Sequence, residues 1–456
     1  MRERFSVDVM RQTMLDFVQM RDFVGDPLVV ERGEGVRLWD IEGRSYIDGL
    51  SGIFVVNFGH GRREIVDAVT AQVARLAFAP QMATTTPEID LAEKLLPILP
   101  SEYTQVKFHS GGSEATEAAI KMARQFHRQN GQASRFKVLS HYRGYHGATG
   151  HALAATGWPH LRAAFEPLAP GFVHLHTPDI YRPLVAGATP EETGLAYARL
   201  VAETIALEGP GTVAALITEP IMMSAGVVVP PDSYLRELRR LTAEHGILLI
   251  FDEIITGFGR TGVPFAREHS GVLPDLICVG KGMSGGYAPL SAVVLSERVA
   301  RAFWGEPGTQ FQAGHTFAGN PVACAAGLAA LDVLMQPETL INCRDVGAHA
   351  MGRLRSLMDR HPCIGDVRGR GMFLGVEFVS DRATRTRFPD EVAFGIRVQA
   401  EARRRGLLLR ASGFMLVVGP PLTTTRAEMD EIIDILDQAV GAAEASLHER
   451  ALAGVP

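Results

Sequence analysis

The sequence predicts an α/β protein built on a mostly parallel sheet, and three observations carry that expectation. Short apolar, β-branched runs recur along the middle of the chain: VKFHS (106–110), FKVLSHY (136–142), FVHLHTP (172–178), VAALITEP (213–220), ILLIFDEI (247–254), LICVGKG (276–282) and LSAVVLS (290–296). Helical patterns such as SEATEAAIKMARQFHRQ and SYLRELRRLTAEHG separate several of them. The runs are nearly continuous in apolar residues, as expected of strands covered on both faces. In such sheets ligands bind beyond the carboxyl ends of the strands, so chemistry is expected at the last residues of these runs.

On either side of this core the pattern changes. Residues 1–75 open on a polar helix-like segment, followed by strand candidates LVVERG (28–33) and VRLWDIEG (36–43) with a turn at Gly33–Gly35. After a long helical stretch near 321–359, GMFLGVEFV (371–379) and LLLRASGFMLVVGPPL (407–422) read as strands. They are accompanied by helical EVAFGIRVQAEARRRG and AEMDEIIDILDQAVGAA. The expected division is 1–75 and 341–456 in a smaller α+β unit and 76–340 in the large one.

Composition narrows the function class. The 456 residues are 46% hydrophobic and 21% charged with a net charge of −6, which offers no case for nucleic acid or an anionic membrane. The beginning, MRERFSVDVMRQTMLDF, lacks the apolar core of a signal peptide, and no run reaches the ~18–20 apolar residues of a membrane span. The four cysteines form no C-x-x-C pair, as in a reducing, cytoplasmic setting. The histidines, HLH (174–176) included, lack spacing of the H-E-x-x-H kind, so no metal is expected.

Lysine usage singles out one residue. Of 45 Lys plus Arg, only Lys94, Lys107, Lys121, Lys137 and Lys281 are lysine. Lys281 ends an apolar run between two glycines. Other run ends also carry charge: Glu219 in ITEP, and Asp252 and Glu253 in IFDE. Asp252 follows five apolar residues, and a carboxylate there needs a cationic partner.

Two glycine-bearing turns complete the set. HSGGSEATEAA (109–119) follows a strand and opens a helix, so the amides around Gly112 and Ser113 can hold an anion. The same letters also read as a capping box, with Ser113 and an acid at Glu114 or Glu117. YRGYHGATG (142–150) presents Tyr145 and His146 on a loop, where an aromatic can stack on a planar ligand or simply pack a turn. GRGMFLG (369–375) precedes a strand and is a weak dinucleotide signal.

An anion cradle, a stacking aromatic, a buried carboxylate and one lysine are what a pyridoxal phosphate site requires. The lysine amine forms a Schiff base with the aldehyde, which arginine cannot do. The sequence resembles the class III aminotransferases of fold-type I over nearly its whole length. The matching stretches are GGSEATEAAIKMAR, YHGAT, ITEPI, IFDEIITGFGRTG, VGKGMSGGYAPLSAV, HTFAGNPVACAAGLAAL and GRGMFLGVEF. Asp and Lys stand 29 residues apart (281 − 252) with the family's flanks.

The resemblance implies a seven-stranded large domain with a small domain from both termini, and a role for each matching position. Lys281 would carry the cofactor and move the substrate proton, and Asp252 would pair with the pyridinium nitrogen. Gly112 and Ser113 would hold the phosphate, with Thr316 reaching it from a neighbouring subunit. Tyr145 would stack on one face of the ring and Ile254 on the other, with His146 and Glu219 supporting the site. Phe54 would line the substrate pocket with Tyr145, and Arg410 would bind a substrate carboxylate. The expected assembly is a cytoplasmic homodimer, or a dimer of dimers, with shared sites.

Departures lean toward the ω-amino-acid or amine–pyruvate branch. Ile255 replaces a usual Gln, MMSAG (222–226) replaces QGAGG or QSEGG, Phe54 stands where Trp is frequent, and Gly111 where Ser is usual. The expected reaction is ping-pong transfer of an amino group from an amine or ω-amino acid to an α-keto acid, most readily pyruvate. The rivals are an aminomutase or phospho-lyase on the same scaffold, and a pyridoxal-binding regulator or nucleotide-binding α/β protein without catalysis.

Overall fold

A computed structural model of the chain describes residues 7–80 and 82–452. Seven strands form its central sheet. In spatial order they are Tyr103–His109, Ser291–Ser296, Leu276–Val279, Leu248–Asp252, Val213–Thr218, Lys137–His141 and Phe172–Leu175. Ser291–Ser296 runs antiparallel to both its neighbours, and the other pairings are parallel. All seven expected runs are therefore strands of one sheet.

The apolar runs are continuous because helices cover both faces. Leu248 and Ile250 point to the face packed by Gly112–Gln129, in a cluster with Ala115, Ala119, Met122, Ala215 and Ile217. Leu249 and Phe251 point to the other face, against Val201 and Ile205 of Pro190–Glu208 and Leu238 of Asp232–Glu244. Strand alternation thus sends every second residue into a different core. Each such aliphatic or aromatic side chain contributes roughly 1.5–3 kcal/mol.

The smaller unit joins both termini. Val30–Glu34, Arg37–Asp40 and Ser45–Asp48 form a sheet completed by Leu407–Leu408, which pairs in parallel with Ile47 and Asp48. A second sheet holds Ile364–Arg370, Phe373–Phe378, Met415–Val418 and Arg410–Ala411.

Several local expectations are corrected. The polar opening segment lies partly outside the described residues, and within them only Val7–Met10 and Met20–Phe23 are helical before the first strand. Ser45–Asp48 is a strand that the pattern did not reveal. The stretch near 321–359 is two helices, Pro321–Leu334 and Pro337–Leu357, bent by 67°. Asn320 fixes the start of the first, its Oδ1 accepting from the amides of Val322 and Ala323 (3.0 and 3.1 Å) ahead of a helix that begins on proline. No single helix among the described residues is long and apolar enough to cross a membrane.

Candidate active site

The three strands that end in charge are adjacent in the sheet, so Glu219, Asp252 and Lys281 emerge side by side at one edge. Glu253 does not join them. Its carboxylate turns back to accept from the amides of Ala266 (2.6 Å) and Arg267 (2.8 Å) and from Thr256 Oγ1 (3.0 Å). It anchors the following loop.

Asp252 is buried, and its partner is a histidine. His146 Nδ1 lies 2.8 Å from Asp252 Oδ2, and the amide of Ile254 donates to Oδ1 at 3.2 Å. Since the carboxylate accepts, Nδ1 carries the hydrogen. The His146 amide is itself held by Thr156 Oγ1 at 3.0 Å.

Glu219 accepts from the amides of Tyr145 and Met223, each at 3.1 Å. Burial pushes its carboxyl up to about 7; His146 opposes the rise and Asp252 adds to it. The contact with Tyr145 fixes the loop that carries both Tyr145 and His146.

Lys281 opens a short 3₁₀ turn, Lys281–Ser284, with a left-handed φ of +46°. A β-carbon in that region is strained and persists only where packing enforces it. Burial pulls its ammonium down to about 8; nearby Arg410 lowers it further, against Asp252 and Glu219. Nζ makes no hydrogen bond or ion pair among the described residues and lies 5.9 Å from the Phe54 ring centroid.

The glycine turn packs against Ile254 and Ser291, whose Oγ donates to the Gly111 carbonyl at 2.8 Å. Gly111, with no side chain, takes the N-cap of Gly112–Gln129, which corrects the capping-box reading of Ser113. Glu114 instead reaches back to the Ser110 amide (2.9 Å), and Glu117 bonds Thr149 (2.9 Å) and His151. Ser113 Oγ accepts from the Ala148 amide at 3.1 Å. A Cβ on Gly112 would sit 2.9 Å from Ile254 Cδ1. The amides of Gly112 and Ser113 have no carbonyl acceptor among the described residues.

Phe54, buried at a left-handed φ of +60°, meets Phe373 edge-on with ring centroids 5.1 Å apart. The surrounding apolar cluster contains Leu50, Ile221 and Met223, with Ile255 packed against it. Met222 turns away into a pairing with Val228. Arg410 is exposed, within electrostatic reach of Tyr145 and Lys281. Thr316 is the one candidate that this chain does not bring to the group. It is exposed and lines a separate cavity with His315 and Lys107.

Sequence reading missed Arg260. It is wholly buried, donating to the carbonyls of Met372, Gly419 and Pro420, to Ser51 Oγ (2.8 Å) and to Asn57 Oδ1 (2.6 Å). Its guanidinium lies 5.7 Å from the Phe54 ring and ties both terminal segments to the loop after Asp252. The only signal was an arginine inside the otherwise uncharged GFGRTGVPF.

The donor set fits pyridoxal phosphate. Unengaged helix-start amides beside Ser113 suit a phosphate, Asp252 suits a protonated ring nitrogen, and an unpaired lysine suits the aldehyde. The family model described as aminotransferase class III matches residues 21–440. An uncharacterized aminotransferase of Bacillus subtilis is 38% identical over 91% of this chain and 92% of the relative. An (S)-enantioselective omega-transaminase from Thermomicrobium roseum superposes with a TM-score of 0.91 at 39% identity, covering 97% of this chain and 98% of that one. A PLP-bound amine transaminase from an uncultivated Pseudomonas species gives 0.90 at 36% identity, over 94% and 98%. The chain belongs to the class III aminotransferases, and its cofactor is pyridoxal 5′-phosphate.

Proposed function

We propose that the protein moves an amino group from an amine or ω-amino acid to an α-keto acid, with pyruvate as acceptor, in a ping-pong cycle. The observation that carries the reading is the buried, unpaired amine of Lys281 beside Asp252, with exposed Arg410 within electrostatic reach. Bound pyridoxal phosphate supplies an aldehyde that exchanges amines and a ring that accepts the electrons released at the substrate carbon.

The residues divide the remaining work. Lys281 Nζ, in its unprotonated form, would take the proton from the substrate carbon and deliver it to the carbon on the far side of the linking nitrogen, two atoms along. Asp252 holds the proton on the ring nitrogen, and His146 keeps that carboxylate in place. Gly112 and Ser113 hold the phosphate, with Thr316 of a second subunit as a further donor in a homodimer. Tyr145 and Ile254 flank the ring, and Glu219 fixes the Tyr145–His146 loop. Phe54 and Ile255 present an apolar wall to the substrate side chain and keep water out. Arg410 binds the keto-acid carboxylate through its planar fork and is exposed enough to swing aside for an uncharged amine. The small unit from both termini, tied on by Arg260, carries Phe54 and Arg410 to the large one.

A donor panel with pyruvate and 2-oxoglutarate tests the reading. Amine alone is expected to bleach the visible cofactor band and pyruvate to restore it. Phosphate release without an acceptor, or turnover without bleaching, would favour the phospho-lyase or aminomutase reading.

A further inference from the structure

Outside the site described above, three potential ligand groups from three segments meet at one point. His109 ends the edge strand, Glu114 lies in the first turn of Gly112–Gln129, and His315 comes from the segment before Thr316. One ligand atom from each lies within 4.8 Å of the others. His315 Nδ1 is 3.7 Å from Glu114 Oε1, and the two imidazoles stand edge to face, 5.4 Å between centroids.

His109 is the informative member. It is 1% exposed, yet neither ring nitrogen has a hydrogen-bond partner among the described residues. A buried imidazole left so costs about 1–3 kcal/mol, so a residue placed there calls for a ligand. Glu114 is already oriented, because its other oxygen accepts from the Ser110 amide at 2.9 Å.

We propose that His109, Glu114 and His315 bind one divalent transition-metal ion per chain, with Zn²⁺ the best match. Two imidazoles and one carboxylate are a borderline-soft set that suits zinc and leaves a fourth position for water. Ligand atoms around zinc stand about 3.3 Å apart, so closing the site takes side-chain adjustments of about 1 Å. His315 lines a cavity of about 370 Å³ together with Thr316. Lys107 and Glu88 face the same cavity with opposite charges. The ion would pin the His315–Thr316 segment to the start of the helix that carries Gly112 and Ser113. Spacing along the chain could not reveal this site, because its ligands come from distant segments.

The test uses the holoenzyme, freed of excess cofactor by gel filtration because free pyridoxal phosphate chelates metals. After dialysis against EDTA it is titrated calorimetrically with ZnCl₂, and with MgCl₂ as control. One Zn²⁺ per chain with micromolar or tighter affinity is expected, and no heat from Mg²⁺. His315→Ala, at a half-buried position, should weaken binding at least tenfold while leaving the calorimetric Tm of the metal-free protein unchanged. X-ray absorption at the zinc edge should show nitrogen and oxygen ligands at about 2.0–2.2 Å, with imidazole scattering reduced in His315→Ala. No binding, a different stoichiometry, or unchanged affinity in His315→Ala would overturn the proposal.

Discussion

His146 and Asp252 form a buried pair 2.8 Å apart, joining the loop after Lys137–His141 to the end of Leu248–Asp252. The lone carboxylate at the end of an apolar strand is thereby oriented by a group from two strands away in the sheet. If the pair fixes the acceptor for the ring nitrogen, Asp252→Asn should lower kcat by about 10²–10⁴-fold. His146→Asn, which loses one hydrogen bond to a charged group worth about 1.5–3 kcal/mol, should cost about 10–150-fold. Steady-state rates of the two variants check the order, and a His146 variant worse than Asp252→Asn would refute it.

Lys281 titrates near 8 because it is buried and near the Arg410 guanidinium. Its amine reacts only when unprotonated. Recovery of activity by apoenzyme mixed with pyridoxal phosphate should therefore quicken as pH rises and level off above about 8. Arg410→Leu removes a positive charge and should move the midpoint upward. Rates indifferent to pH between 6 and 9, roughly the window in which such a lysine titrates, would rule this out.

Arg410 should separate the two half-reactions. Arg410→Leu is expected to lower kcat/KM for keto acids by about 10–100-fold, the worth of a charged hydrogen bond, while sparing amines without a carboxylate. Equal losses for both substrate types would mean that Arg410 acts through the fold.

Glu253 links stability to pH. Burial raises its carboxyl from 4.5 to about 7. Between those values the folded chain keeps a proton that the unfolded chain has released. The contribution is fully present below 4.5 and lost as pH rises through about 7. Calorimetric Tm of the wild type should therefore fall relative to Glu253→Gln from pH 4.5 to 7. A wild type that gains on the variant over that range would contradict the assignment.

Phe54 packs against Phe373 and under the Arg260 guanidinium, so Phe54→Ala should destabilise the fold by about 3–5 kcal/mol in denaturant titrations. The same change should open the apolar wall and improve kcat/KM for bulkier amines. A stable variant with unchanged preference would remove Phe54 from the pocket.

The sequence by itself determined the sheet and the charged residues that emerge together at its carboxyl edge. Continuous apolar runs are expected of strands covered on both faces, and three consecutive strands ending in charge are less readily assigned to solvent than one alone. That logic reached Lys281, Asp252 and Glu219, and the motifs around them identified the family. It singled out Asp252 but said nothing of what Glu253 does, since only packing shows that the Glu253 carboxylate turns back to the amides of Ala266 and Arg267. Nor could it pair Asp252 with His146, make Gly111 rather than Ser113 the cap, or assign five hydrogen bonds to Arg260. Those depend on contacts between segments as much as 209 residues apart, and local pattern carries no information about them. The tertiary structure decided them, because a buried charge takes whichever partner the fold brings within about 3 Å.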